Sequence, residues 1–164
     1  MVFGLDANAT VELAAATPQQ IVPEARHANL PTHWTVTSGS LPEGLQLSDG
    51  GAVSGATLET GTFRVDLAVR DALGLEAGGA LTLEVGGPVI GASDLVALFL
   101  LRPPALTPLQ EQYLDRAGNG NGVYDPGDFR AYVLANPDAP TASQVMEIRP
   151  VIVPFLDLGR EDDP

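Results

Sequence analysis

Between two stretches of helical periodicity, residues 117–128 read AGNGNGVYDPGD, which places oxygen-bearing groups at alternate positions among glycines. Asn119 and Asn121 offer amide oxygens, Val123 a backbone carbonyl, and Asp125 and Asp128 carboxylates. A hard divalent cation such as Ca²⁺ takes about six to eight oxygens. A loop of about twelve residues can supply them from positions one, three, five, seven, nine and twelve, with glycine at the sixth for the sharp turn. Counted from Ala117, Asn119 is third, Asn121 fifth, Gly122 sixth, Val123 seventh, Asp125 ninth and Asp128 twelfth. Position one fails, because Ala117 has no side-chain oxygen. Asp115, at the end of the preceding helix, is the substitute if that helix end unwinds or the loop is expanded. A flexible hinge, with Asp125 only capping a helix, is the competing reading, but a hinge does not require oxygens at alternate positions. Two or three carboxylates among neutral donors imply weak binding, with Kd of roughly 10⁻⁴ to 10⁻³ M. Such a site fills outside a cell and stays mostly empty inside one, and its role is structural, through linkage between metal binding and folding.

Helices must hold this loop from both sides. Thr107-Pro108-Leu109-Gln110 announces one by a cap, a proline at the first helical position and Gln three residues after the cap. It continues with Leu109, Tyr113 and Leu114 on one face. The next opens at Asp125-Pro126, carries Phe129, Tyr132 and Val133 at i, i+3, i+4, and stops at Asn136-Pro137. An earlier helix behind Ser93 carries Leu95, Leu98 and Phe99 with the same spacing. Asp94-Leu95, Leu98 and Phe99 map onto Asp128-Phe129, Tyr132 and Val133, an internal duplication at a fixed offset. With Asp rather than Glu at the twelfth position, a following Phe and this duplication, the segment resembles dockerin modules, loop-helix units of secreted bacterial proteins. In the first copy the matching loop, GGPVIGASD, keeps only Asp94, so one metal site is expected.

Other chemistry finds little support. The chain has no Cys, which excludes disulfides and thiolate sites, and its two histidines, His27 and His33, read as loop residues. Ser38 and Ser40 lie near His33 but belong to no nucleophile motif, and neither a G-x-S-x-G elbow nor a P-loop is present. Residues 118–122 lack the basic partner and preceding strand that a phosphate loop needs. A formal charge of −13, with eight Arg and no Lys, repels nucleic acid and anionic lipid and favours cations. The expectation is therefore a protein that is not an enzyme. Residues 1–10 lack a signal-peptide pattern, and the longest apolar run, LVALFLL (95–101), is too short to span a bilayer. The triplet Asn8-Ala9-Thr10 matches a glycosylation sequon, which matters only in a eukaryotic secretory pathway.

The first half of the chain follows a different period. Phe63, Val65, Leu67 and Val69 alternate with Thr62, Arg64, Asp66 and Arg70, and Leu81, Leu83 and Val85 repeat the pattern. Shorter alternating pieces hold Val11 and Leu13, Trp34 and Val36, and Leu45 and Leu47, separated by turn chemistry such as SLPEG (40–44) and SDGG (48–51). Many short strands at this spacing predict an all-β sandwich. Within it, WTVTSGSLPEGLQLSDGGAVSGATLETGTFRVDLAVRDALG (34–74) resembles a bacterial immunoglobulin-like domain related to cadherin-like sandwiches. The resemblance rests on W-x-V, then G-x-L-P-x-G-L-x-L, a G-x-V-x-G turn, a G-T-F strand and D-x-x-G. It also places Ser38 and Ser40 in a turn and Trp34 in the core. Upstream, residues 18–33 carry three prolines and are poor strand material, so either the first strands are rearranged or one is supplied by another segment.

The expected organisation is an immunoglobulin-like or cadherin-like β-sandwich over 1–86, a small all-α dockerin-like module with one EF-hand-type loop over 87–140, and an apolar tail over 141–164. Pro150 and Pro154 forbid a helix across the apolar part of MEIRPVIVPFLDLGREDDP (146–164), and the segment must be buried, either along its own domains or on the sheet edge of a neighbouring chain. The function expected is that of a bacterial extracellular or cell-surface structural protein that binds calcium and acts in assembly or adhesion, with a protein partner or self-association. A docking module for a cohesin-type partner and a non-catalytic accessory region of a secreted hydrolase are the alternatives.

Overall fold

The computed structural model describes residues 9–23, 25, 28–90 and 106–135. The chain divides into two compact units, Met1–Pro88 and Val89–Pro164. In the first lie β1 (Ala9–Ala14), β2 (Gln19–Ile21), β3 (His33–Gly39), β4 (Leu45–Leu47), β5 (Val53–Gly55), β6 (Gly61–Arg70) and β7 (Glu76–Gly86). The second holds α1 (Pro108–Ala117) and α2 (Pro126–Ala135). The expected helix behind Ser93, most of the first repeat copy, His27 and the tail lie outside the described residues.

Two sheets build the first unit, one ordered β1-β7-β6-β3 and the other β2-β5-β4. Period-two alternation decides what they bury. Val65, Leu67 and Val69 of β6 and Leu81, Leu83 and Val85 of β7 are all buried, while Phe63 is half-buried. Leu13, Trp34, Leu45 and Val53 add the buried residues of β1, β3, β4 and β5. At about 1.5–3 kcal/mol for each large apolar side chain removed from water, this set dominates the unit's stability. The proline-rich stretch yields only the three-residue β2, and β1 pairs with β7 in parallel, from Ala9 beside Leu81 to Ala14 beside Gly86.

Three expectations for β3 are corrected. His33 opens the strand instead of standing in a loop, and Ser38 falls within the strand and not in a turn. Val36, expected to share the buried side with Trp34, is 41% exposed. It still stands opposite Leu67 in continuous register with Trp34, but on β3, an edge strand of its sheet. Gly51 turns at φ +93, and a Cβ there would stand 2.6 Å from the Trp34 indole nitrogen, so only glycine lets the turn close over the ring.

One buried carboxylate organises the turn between β6 and β7. Asp71 is 4% exposed and accepts hydrogen bonds from the N–H groups of Leu73 and Leu75, each at 2.9 Å. It also accepts from the Asn29 side chain at 3.0 Å and the Asn29 N–H at 3.3 Å. The Asn29 side-chain bond lowers its pKa most, burial opposes the shift, and the three backbone donors lower it further. The family pattern marks Asp71 and Gly74 as a turn. Asn29 as the distant partner carries no local sequence signal.

Candidate metal-binding loop

The loop begins where α1 ends, and α1 is closed at both ends by its own residues. Thr107 accepts from the Gln110 N–H, the Gln110 side chain accepts from the Thr107 N–H at 2.8 Å, and Pro108 opens the helix. At the far end the Gly118 N–H donates to the carbonyls of Leu114 (2.9 Å) and Asp115 (3.1 Å), and the Gly120 N–H donates to the Asp115 carbonyl (2.9 Å). Gly120 and Gly122 then take φ values of +64 and +87, which reverse the chain without a Cβ penalty. A small core of Leu106, Leu114 and Tyr132, with Ile90, Tyr113 and Tyr124 packed against it, holds α1 and α2 together. The rings of Tyr113 and Tyr132 meet edge to face at 6.2 Å.

Every side-chain donor named from the sequence is tethered to a backbone N–H of this region. Asn119 Oδ1 accepts from the Asn121 N–H (2.9 Å), Asn121 Oδ1 from the Val123 N–H (2.8 Å) and Asp125 Oδ1 from the Gly127 N–H (2.7 Å). Each is the same bond, from a side-chain oxygen to the amide two residues on, so donors at alternate positions curl the chain in one sense. Both Asp115 oxygens lie 3.1 Å from the Gly122 N–H, at the sixth-position glycine. Asp115 thus reaches over the loop although it still belongs to α1, and no unwinding of the helix end is needed.

Asp128 closes the ring. It is fully buried, its Oδ1 accepting from the Asn119 N–H (3.0 Å) and its Oδ2 from the Asp125 N–H (2.9 Å). A Cβ on Gly118 would collide with Asp128 Oδ1, which explains a glycine at a helix end whose φ is not left-handed. The Asn119 side-chain amide also donates to Asp125 Oδ2 at 3.5 Å. The loop therefore brings Asp115 to Gly122, and Asp128 to both Asn119 and Asp125. Val123 continues the turn with its side chain 66% exposed.

Beside these carboxylates stands Tyr124, whose enclosed hydroxyl has no hydrogen-bond partner among the described residues. Burial, followed by the negative charges of Asp128, Glu111 and Asp125, pushes its pKa up to about 12. Sequence reasoning passed over Tyr124, and its place directly before the ninth-position Asp125 is the only signal that marks it.

The donor chemistry fits a hard cation, since carboxylate, amide and carbonyl oxygens are present without nitrogen or sulfur ligands. An oxygen that accepts one N–H retains a further lone pair, so the tethers and an ion can share the same atoms. Among the described residues no group of three or more His, Cys, Asp or Glu side chains is placed to hold a metal alone. Any ion here depends on Asn119, Asn121 and the Val123 carbonyl as much as on the carboxylates. His33 takes no part in such a set, its Nδ1 lying 2.9 Å from both oxygens of Asp49 on the sandwich surface.

Residues 4–86, just over half of the chain, match the family model described as Putative Ig domain, and the chain belongs to that family. No curated protein sequence matches the chain. Among solved structures, a putative alpha-galactosidase/melibiase from Bacteroides fragilis is 29% identical with a TM-score of 0.42, over 47% of this chain and 16% of that one. A second putative alpha-galactosidase from the same organism is 24% identical with a TM-score of 0.44, over 52% of this chain and 19% of that one. The protocadherin gammaB7 EC3-6 cis-dimer is 15% identical with a TM-score of 0.43, over 52% and 23%. The chain thus spans less than a quarter of the length of each of these three proteins. Among the described residues no helix is long and apolar enough to cross a membrane.

Proposed function

We propose that this chain is a non-catalytic, calcium-binding structural protein of the bacterial cell exterior, an assembly or adhesion subunit. Its immunoglobulin-like sandwich is joined to a dockerin-like helical unit that one Ca²⁺ stabilises. The observation that carries this reading is the set of tethers: Asp115, Asn119, Asn121, Asp125 and Asp128 each accept a loop N–H, three of them in the same alternating bond. A loop that served only as a hinge has no use for five fixed oxygens. Asp115, Asn119, Asn121, Asp125, Asp128 and the Val123 carbonyl would hold the ion, which supplies a fixed positive charge to a strongly acidic chain. Self-association through the apolar segment 146–164 belongs to the same reading.

Terbium luminescence tests it, because Tb³⁺ takes the same hard oxygen ligands and Tyr124 stands beside the loop as a sensitiser. Tyrosine-excited Tb³⁺ emission should appear on titration, fall on adding Ca²⁺, and weaken sharply in Asp115→Ala and in Tyr124→Phe. Emission that ignores both Ca²⁺ and Asp115 rejects the site.

A further inference from the structure

The chain holds two Asn-Gly pairs, Asn119-Gly120 and Asn121-Gly122, and both lie in the loop. Such a pair carries a latent reaction. The backbone nitrogen of the glycine can attack the side-chain amide carbon of the asparagine to close a cyclic imide, because the two groups are adjacent and glycine has no Cβ to obstruct them. The attack needs a base for the proton on the glycine nitrogen, a donor for the charge that grows on the amide oxygen, and access for water.

The pairs differ in what holds the attacking nitrogen. The Gly120 N–H donates to the Asp115 main-chain carbonyl at 2.9 Å, a neutral acceptor that cannot keep a proton. The Gly122 N–H instead faces both oxygens of the Asp115 carboxylate at 3.1 Å, within the reach of a general base. An N–H bond lies in the peptide plane, whereas attack uses the electron density above that plane, so holding the proton does not block the reaction. Asn121 Oδ1 accepts from the Val123 N–H at 2.8 Å, which aims a donor at the oxygen where charge develops. Asn119 has the equivalent donor in the Asn121 N–H, so the carboxylate is what separates the two pairs. Asn121 and Gly122 are exposed, which admits water and lets ammonia leave.

We propose that Asn121 is a self-modification site with Asp115 as its base. The Gly122 nitrogen bonds to Asn121 Cγ, its proton passes to the Asp115 carboxylate and on to Nδ2, and the Cγ–Nδ2 bond breaks to release ammonia. Water then opens the imide at either carbonyl, restoring the Gly122 N–H and leaving aspartate or isoaspartate at position 121. Asp115 is regenerated and no metal takes part. The product adds a carboxylate to those of Asp115, Asp125 and Asp128, and ammonia loss is not reversed, so the charge of the loop records the age of the molecule.

Peptide mapping by mass spectrometry of the full chain, aged in chelator, tests this independently of the calcium reading. In the folded chain, conversion at position 121 should outrun that at position 119 by about tenfold or more. In denaturant, where Asp115 is no longer fixed, the two should convert at nearly equal rates. Asp115→Asn should bring position 121 down to the rate of position 119, with melting curves establishing that the variant is folded. Should both positions in this variant convert at their denatured rates, the loop has opened, and the wild-type ratio, folded against denatured, decides. Equal rates in the folded wild type, faster conversion at position 119, or a folded Asp115→Asn in which position 121 alone speeds up would overturn the proposal, the last by making Asp115 a guard of Asn121.

Discussion

Asp128 and Asp71 are the two buried carboxylates of the described chain, and each is stabilised by aiming its oxygens at backbone N–H groups. A buried charge without such donors is costly, so removing either group strands several amides at once. This governs how the metal loop can be probed. Asp128 holds the loop together whether or not an ion is present, so Asp115 and Asp125 are the informative substitutions. For Asp71 the consequence is a pH dependence. Its pKa is lowered from 3.8 in the folded state, so its contribution is present above that value and is lost as pH falls through the folded pKa. Melting temperatures recorded downward from pH 5 should therefore fall less steeply in Asp71→Asn than in the wild type, from a lower starting point. Equal acid slopes would remove Asp71 from the account. The side-chain to backbone bonds of the loop were legible in kind, because Asn and Asp at alternate positions favour bonds to the amide two residues on. The Asn29 to Asp71 bond was not, since residues so far apart in sequence leave no periodic trace.

At the scale of elements, local chemistry carries the legible part of the fold. The Thr107 and Gln110 capping box is present in both halves, and β6 and β7 bury the sides their alternation predicts. Replacing Thr107 by Ala should cost about 1 kcal/mol of stability in the helical unit. Chemical denaturation followed by tyrosine fluorescence measures that cost, and an unchanged midpoint would mean that packing against Leu106 and Tyr132 makes the cap redundant. What failed was non-local. The exposure of Val36 goes with β3 being an edge strand, and the parallel pairing of β1 with β7 depends on topology that composition does not encode. Asp115 shows the same limit: an unwound helix end or an expanded loop was expected to bring it to the loop, whereas it bonds to the Gly122 N–H from within an intact helix.

For the whole molecule, the issue is whether one ion contributes enough to matter to a chain of −13 charge. If the loop binds Ca²⁺ as proposed, with a Kd of roughly 10⁻⁴ to 10⁻³ M, Ca²⁺ at about 10 mM would add about 1.4–2.7 kcal/mol to the unit that folds around it. That is a sizeable share of the stability of a small unit, and it is available only where calcium is abundant. Scanning calorimetry of the full chain in Ca²⁺ and then in chelator is the most direct measurement. Calcium should raise a melting transition by several degrees in the wild type, and Asp115→Ala with Asp125→Ala should remove the rise. A melting profile indifferent to calcium, or one raised equally in the double variant, would contradict the calcium reading.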